Sequence, residues 1–306
     1  MASPHAALEF LRQAAVRGER CAVIALTAVD GGTARGLGTL MAVTEAGASL
    51  GSLSGGCVEA ALVAEAQRII AKGTAEMLRL GAGSPLIDIR LPCGSGMDLL
   101  VIPQPDAAEI ATACHLLEAR KPIALQLHGD GRLITAEADS HTRTGWQDQG
   151  FILRINPRLR LIIAGHGEEV SSLAALGRTW GADVLVLTPD ERSAAAAGGQ
   201  SVILKSPSAH PALALDRYSA LIMLFHDHDW ETALLVQALT QAALFIGAMG
   251  SQKTHARRLA ALAEAGVSSS DAARIAGPIG LIPAARDPQT LALSVLAQVV
   301  AAYNAA

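Results

Sequence analysis

From Pro157 onward the chain repeats one pattern: a short, almost uninterrupted apolar run, a turn of small residues, then a segment of helical periodicity. The apolar runs lie at 159–163, 184–187, 202–204, 220–225 and 244–246. Runs this short, without alternating polar positions, read as strands buried on both faces, and strands alternating with helices build a parallel sheet covered on each side. The spacing predicts a Rossmann-like, doubly wound parallel sheet domain over 158–306. Its final helix, 288 to about 303, carries Leu291, Val295, Val299 and Ala302 on one stripe that packs on the sheet or on another subunit.

The preceding half reads as an N-terminal α/β domain over 1–140. Ser3-Pro4 is an N-cap followed by proline at the first helical position, and the helix runs towards Gly18. Strands follow near 22–29 and 38–43, then a Gly/Ser-rich loop over 51–56 and a helix over 58–71. Further strands are expected near 75–80, 86–90 and 97–102, with a helix over 107–120 and a strand over 123–127. Periodicity lapses between 139 and 157, and 141–157 is expected to be a linker. A chain of 306 residues accommodates both domains with full cores.

Composition excludes several classes. Hydrophobic residues make up 51% and charged residues 17%, which rules out extensive disorder. A net charge of −4 and the absence of a Lys/Arg cluster argue against nucleic acid. Polar or glycine breaks interrupt every apolar run before the ~18 residues a membrane span needs, so no membrane association is expected. The first ten residues do not form a secretory signal. The four cysteines, Cys21, Cys57, Cys93 and Cys114, share no C-x-x-C spacing; a reducing cytoplasmic location is expected. The apolar content exceeds what a monomer of this size typically hides, which predicts a homodimer or larger.

Three glycine-rich features carry candidate chemistry. In the first, 51–59 combines Gly55, Gly56, Cys57 and Glu59 at a helix start, where free amides can hold an anion or lower a thiol's pKa. The same pattern also suits a small core thiol, and the loop alone leaves both readings open. In the second, 91–96 places Cys93 between Pro92 and Gly94, with Gly96 closing the loop. Cys21 and Cys114, in an apolar strand and a helix, read as core. The third is the turn Gly165-His166-Gly167 between strand and helix, the position of a dinucleotide-binding turn. Its third glycine is replaced by Val170, the acid of the next strand by Thr188 with Asp190 two residues on, and Glu168 and Glu169 face any pyrophosphate. NAD(P) is therefore a doubtful ligand, and an NAD(P)-dependent oxidoreductase acting on a small substrate is the alternative function.

Past the strand at 220–225, His226-Asp227-His228-Asp229 lies at a carboxyl end, where open α/β sheets bind ligands. His226 and His228 share one side of an extended segment, which raises a metal-dependent hydrolase as a further alternative, without a third ligand at a recognisable spacing. Asp229 reads as the N-cap of the next helix. Gly250 and Ser251 form another glycine turn, followed by Lys253, Arg257 and Arg258 on a helix that either faces an anion or is solvated.

On the cysteine loops, the Gly165-x-Gly167 turn, His226-Asp227, 247–251 with Lys253, and 277–281, the chain resembles the xanthine dehydrogenase accessory protein (XdhC/CoxI) family. The resemblance spans almost the whole chain. It implies a two-domain accessory protein rather than a catalyst: one that binds a molybdopterin-type molybdenum cofactor, plain or cytidylated, protects it, supports its sulfuration with a cysteine desulfurase-type donor, and delivers it to an apo molybdenum hydroxylase of the xanthine dehydrogenase/aldehyde oxidoreductase type. The residues it implicates are Gly55, Gly56, Cys57, Glu59, Cys93, Gly94, Gly96, Gly165, Gly167, His226, Asp227, Gly250 and Ser251, with the Cys57 thiolate as the metal ligand because sulfur suits a soft centre.

Overall fold

The computed structural model describes residues 3–32, 35–56, 58–82, 84, 94, 96–148, 150–208 and 210–305. The chain divides into two compact units, Met1–Pro157 and Arg158–Ala306.

In the first unit, α1 (Pro4–Val16) begins at Ser3, whose hydroxyl accepts from the Ala6 amide, with Pro4 in the first turn. Next come β1 (Cys21–Asp30), β2 (Leu40–Thr44), β3 (Ser49–Leu50), α2 (Glu59–Lys72), β4 (Glu76–Gly81) and β5 (Gly96–Pro103). Among the described residues these strands order as β3-β2-β1-β5-β4 and pair antiparallel. Alternation along β1 decides what each face meets. Ala22, Ile24 and Leu26 pack in a cluster with Leu62, Ala66 and Ile69 of α2. Val23 and Ala25 pack in another with Leu8 and Leu11 of α1.

That second cluster also takes in α3 (Ala107–Glu118) and an antiparallel sheet built from β6 (Ile123–Leu127), β7 (Leu133–Glu137), β8 (Gly145–Gln147) and β9 (Gly150–Ile155), ordered β7-β6-β9-β8. The segment expected to link two domains, 141–157, therefore does not do so: it supplies β8 and β9. Phe151, Leu153 and Ile155 alternate into the core while Ile152 and Arg154 are half-buried, and β9 pairs with β6 from Ile155↔Ile123 to Phe151↔Leu127. The strand expected at 86–90 lies outside the described residues. Cys21 and Cys114 are free thiols in the core, and burial pushes the Cys114 thiol up to about 11.

The second unit follows the predicted rhythm: β10 (Arg160–Gly165), α4 (Glu168–Trp180), β11 (Asp183–Thr188), α5 (Glu191–Ala197), β12 (Gln200–Ile203), β13 (Ser219–Leu224), α6 (Thr232–Leu239), β14 (Phe245–Ala248), α7 (Gln252–Glu264), α8 (Ser269–Ala272), β15 (Ile275–Ala276) and α9 (Pro288–Ala305). The sheet is parallel, in the order β12-β11-β10-β13-β14-β15 among the described residues. Leu161 and Ile163 of β10 pack with α4 and α9, and Ile162 and Ala164 pack with α6 and α7, so both faces are covered. Val295 and Val299 of α9 are fully buried in the first of these clusters, against the sheet of their own unit. Strand order reverses between β10 and β13, the switch point at which such sheets bind ligands.

Candidate functional site

Strand register brings two glycine-bearing loops and the glycine that starts β5 to one end of the first sheet. Asp30 at the end of β1 pairs with Gly96 at the start of β5. Ala25 pairs with Leu40 at the start of β2, and Leu50 at the end of β3 pairs with Ala42. The β1–β2 connection bearing Arg35, the loop beginning at Gly51, and the start of β5 at Gly96 all lie at the same end of the sheet. Gly51 has φ +115°, and a Cβ there would lie 2.6 Å from the Leu40 carbonyl oxygen, so only glycine lets the loop start against β2.

The loop from Gly51 is shaped by Glu59. One carboxylate oxygen accepts from Ser52 Oγ (2.8 Å), the Leu53 amide (3.1 Å) and the Ser54 amide (3.0 Å). The other accepts from Ser54 Oγ (2.7 Å) and the Val58 amide (3.2 Å). Burial alone would raise the Glu59 pKa, but the bonds from Ser54 and Ser52 outweigh it and hold it down to about 2. Glu59 thus spends its carboxylate on the loop itself. Leu53 plugs the core, Arg35 Nε donates to the Ser52 carbonyl (2.9 Å), and Gly55 and Gly56 stand exposed. Cys57 and Cys93 lie outside the described residues; of the second cysteine loop, Gly94 is exposed and Gly96 is buried at the strand start.

In the second unit, His166 and His226 follow β10 and β13 at the switch point, their ring centroids 5.8 Å apart. Gly165 sits beneath them, where a Cβ would lie 2.6 Å from the Leu224 carbonyl oxygen, so close strand packing already accounts for this glycine. Asp227, rather than Asp229 as expected, caps the short turn that follows, accepting from the Asp229 amide. His228 Nδ1 approaches Glu231 at 3.2 Å. Among the described residues no three His, Cys, Asp or Glu side chains group as a metal site. Ser251 caps α7 by accepting from the Thr254 amide, next to Gly250.

Arg258 is not available to a ligand. It is buried against Glu231 (2.8 Å) and donates to the Met249 carbonyl (2.7 Å), which ties the glycine turn after β14 to the start of α6. Lys253 and Arg257 remain exposed. The sequence offered no local sign of this pair, whose members stand 27 residues apart.

At the turn at 165–167 the groups a dinucleotide would use have partners within the unit. The Gly167 amide donates to Ser193 Oγ (2.9 Å), and that hydroxyl donates to Asp190 (2.6 Å). Asp190, the acid nearest a ribose position, also caps α5 through the Arg192 and Ser193 amides. Thr188 and Val170 are fully buried. The donor and the acid that a bound nucleotide would need are thus satisfied by α5, and Glu168 and Glu169 occupy the first turn of α4.

The fold and its loops define an α/β protein of two units, the first with glycine-rich loops gathered at one sheet end and the second a Rossmann-like parallel sheet. The profile described as the XdhC Rossmann domain matches residues 161–299, and that of the XdhC and CoxI family matches 14–81. The chain is 36% identical over 292 residues to "Molybdenum cofactor insertion chaperone PaoD" of Escherichia coli (strain K12), covering 95% of this chain and 86% of that one. It belongs to the XdhC/CoxI family. A crystal structure from Bacillus halodurans, titled as a xanthine dehydrogenase, superposes with a TM-score of 0.76 at 18% identity, covering 97% of this chain and 96% of that one.

Proposed function

We propose that the protein is a molybdenum cofactor chaperone whose cargo binds at the loop end of the first unit. The observation that carries this reading is the Glu59-clamped loop, which fixes Ser52, Ser54 and Val58 around one carboxylate and leaves Gly55 and Gly56 exposed beside position 57. Similarity to a relative described as a molybdenum cofactor insertion chaperone supports the nature of the cargo. The Leu53, Ser54, Gly55 and Val58 amides are bonded within the loop, so the group this loop offers the cargo is the Cys57 thiolate, a soft ligand for molybdenum. Gly55, Gly56, Cys57, Cys93, Gly94 and Gly96 form the cargo loops, with Glu59 as their positioning residue. Gly165, Gly167, His226, Asp227, Gly250 and Ser251 line the carboxyl end of the second sheet and form a second surface for cargo or client.

In this reading the protein shields a molybdopterin-type cofactor, holds it during sulfuration by a cysteine desulfurase-type donor, and passes it to an apo molybdenum hydroxylase. It works in the cytoplasm as a homodimer, which light scattering at micromolar concentration tests against the 31.5 kDa of one chain. The deciding experiment incubates the purified protein with molybdenum cofactor and measures fluorescent pterin oxidation products after gel filtration. Retention well above an unrelated protein, with Cys57→Ser retaining far less, is the expected result; background retention by the wild type refutes the reading.

A further inference from the structure

Helix α7 carries its charges against its own dipole. In α2 and α4 acids open the helix and a base closes it, Glu59 with Lys72 and Glu168 and Glu169 with Arg178, the order the macrodipole favours. The first turn of α7 holds Lys253 and no acid, and its last residue is Glu264. Arg257 follows Lys253 by one turn, so two like charges repel along one face. Both are exposed, as are Ala256 and Ala260 beside them, and among the described residues neither cation has an ion-pair or hydrogen-bond partner. The opposite face is fixed. Leu262 lies in the core and Arg258 is held by Glu231 and the Met249 carbonyl, which sets the roll of the helix and keeps Lys253 and Arg257 outward. This charge order lowers the stability of the helix and gains no contact within the chain in return. A small ligand needs a concave site that covers most of its surface, which a row of exposed helix positions does not offer, and the nearby Ser251 hydroxyl already accepts from the Thr254 amide. A protein surface bearing carboxylates can cover such a row and neutralise both charges.

We propose that the Lys253–Arg257 face of α7 is a docking surface for an acidic patch on a partner protein. The proposal rests on the chaperone reading above for the identity of that partner, the apo molybdenum hydroxylase that receives the cofactor, but not for its charge.

Two measurements on the full chain test it, with Lys253→Glu/Arg257→Glu as the variant. In the first, fluorescence anisotropy follows the binding of labelled poly-L-glutamate at low ionic strength, and thermal melts record stability. The wild type is expected to bind and the variant not to, while the variant midpoint equals or exceeds that of wild type, because acids then stand where the helix dipole favours them. A variant midpoint well below wild type would assign the cations to the fold, and equal polyglutamate binding by both proteins would show that the face attracts no acidic partner; either overturns the proposal. In the second, both proteins are loaded with molybdenum cofactor and transfer it to an apo molybdenum hydroxylase over a range of sodium chloride concentrations. The second-order transfer rate of the variant is expected to fall at least ~10-fold at low salt, with the difference closing as salt rises, while cofactor retention stays at the wild-type level. Loss of retention in the variant would assign the cations to the cargo and overturn the partner assignment, as would equal transfer rates at every salt concentration. No transfer even by wild type, with polyglutamate binding confined to wild type, upholds the acidic-partner surface and refutes the chaperone reading instead.

Discussion

Replacing Glu59 by glutamine removes one negative charge and one of two acceptor oxygens from a cluster of three amides and two hydroxyls. The amide nitrogen of glutamine replaces one acceptor whichever way it is turned, so either Ser52 Oγ with the Leu53 and Ser54 amides, or Ser54 Oγ with the Val58 amide, loses its carboxylate oxygen. Depression of the carboxyl pKa from 4.5 to about 2 sets a ceiling of about 3 kcal/mol on what ionisation contributes. Solvent screening of a half-buried group reduces that to about 1–2 kcal/mol. Because the folded pKa lies below the unfolded one, this stability is present in full above about pH 4.5 and is lost as pH falls towards 2. Glu59→Gln should therefore be destabilised by about 1–2 kcal/mol at pH 7 in urea titrations. The gap should close as pH falls through that window. Amide exchange at Leu53, Ser54 and Val58 should accelerate selectively at pH 7. Equal stability at pH 7, or a gap that persists unchanged down to pH 2, would refute the clamp.

Cys114→Ser places a hydroxyl among apolar side chains and should cost about 1–3 kcal/mol in thermal or urea unfolding while cofactor retention stays at the wild-type level. With its thiol pushed up to about 11, native Cys114 should resist alkylation at pH 8 until the chain is unfolded, which mass spectrometry of iodoacetamide adducts reads directly. NADH and NADPH should produce no saturable heat in calorimetry with wild type. Ser193→Ala, which frees the Gly167 amide, should lose about 1 kcal/mol of stability without gaining nucleotide affinity, because Thr188 and Val170 stay in place.

The parallel sheet was legible because its central strands are almost uninterrupted apolar runs: 220–225 and 159–163 match β13 and β10 within one or two residues. Where strands are half-polar the signal weakened. In β9 an arginine and a glycine sit among the inward residues Phe151, Leu153 and Ile155, and only the period-2 alternation, masked by Ile152, marks it as a strand. The sequence offered Glu59 as a candidate site residue but gave no sign that it clamps the loop, since its partners Ser52 and Ser54 become neighbours only when the loop doubles back. Asp190 shows the converse: Pro189-Asp190-Glu191 is an N-cap signature, yet its place two residues past Thr188 drew it into a nucleotide pattern. The pairing of Glu231 with Arg258 depends on how two elements pack, which local sequence does not encode.

Because Ser54 and Val58 are bound to the same carboxylate oxygen of Glu59, the chain between them is a tether with both ends fixed at one point. Four peptide steps of 3.8 Å give it a contour of about 15 Å, so no Cα on it lies more than about 7 Å from the nearer end. Helix α2, seated in the core through Leu62, Ala66 and Ile69, keeps that anchor still. In the proposed function, a cargo held on so short a leash cannot be swung across to a distant acceptor. On that proposal the receiving protein has to bring its own vacant pocket close to the loop, so the geometry of handover is set by docking and not by the reach of the carrier.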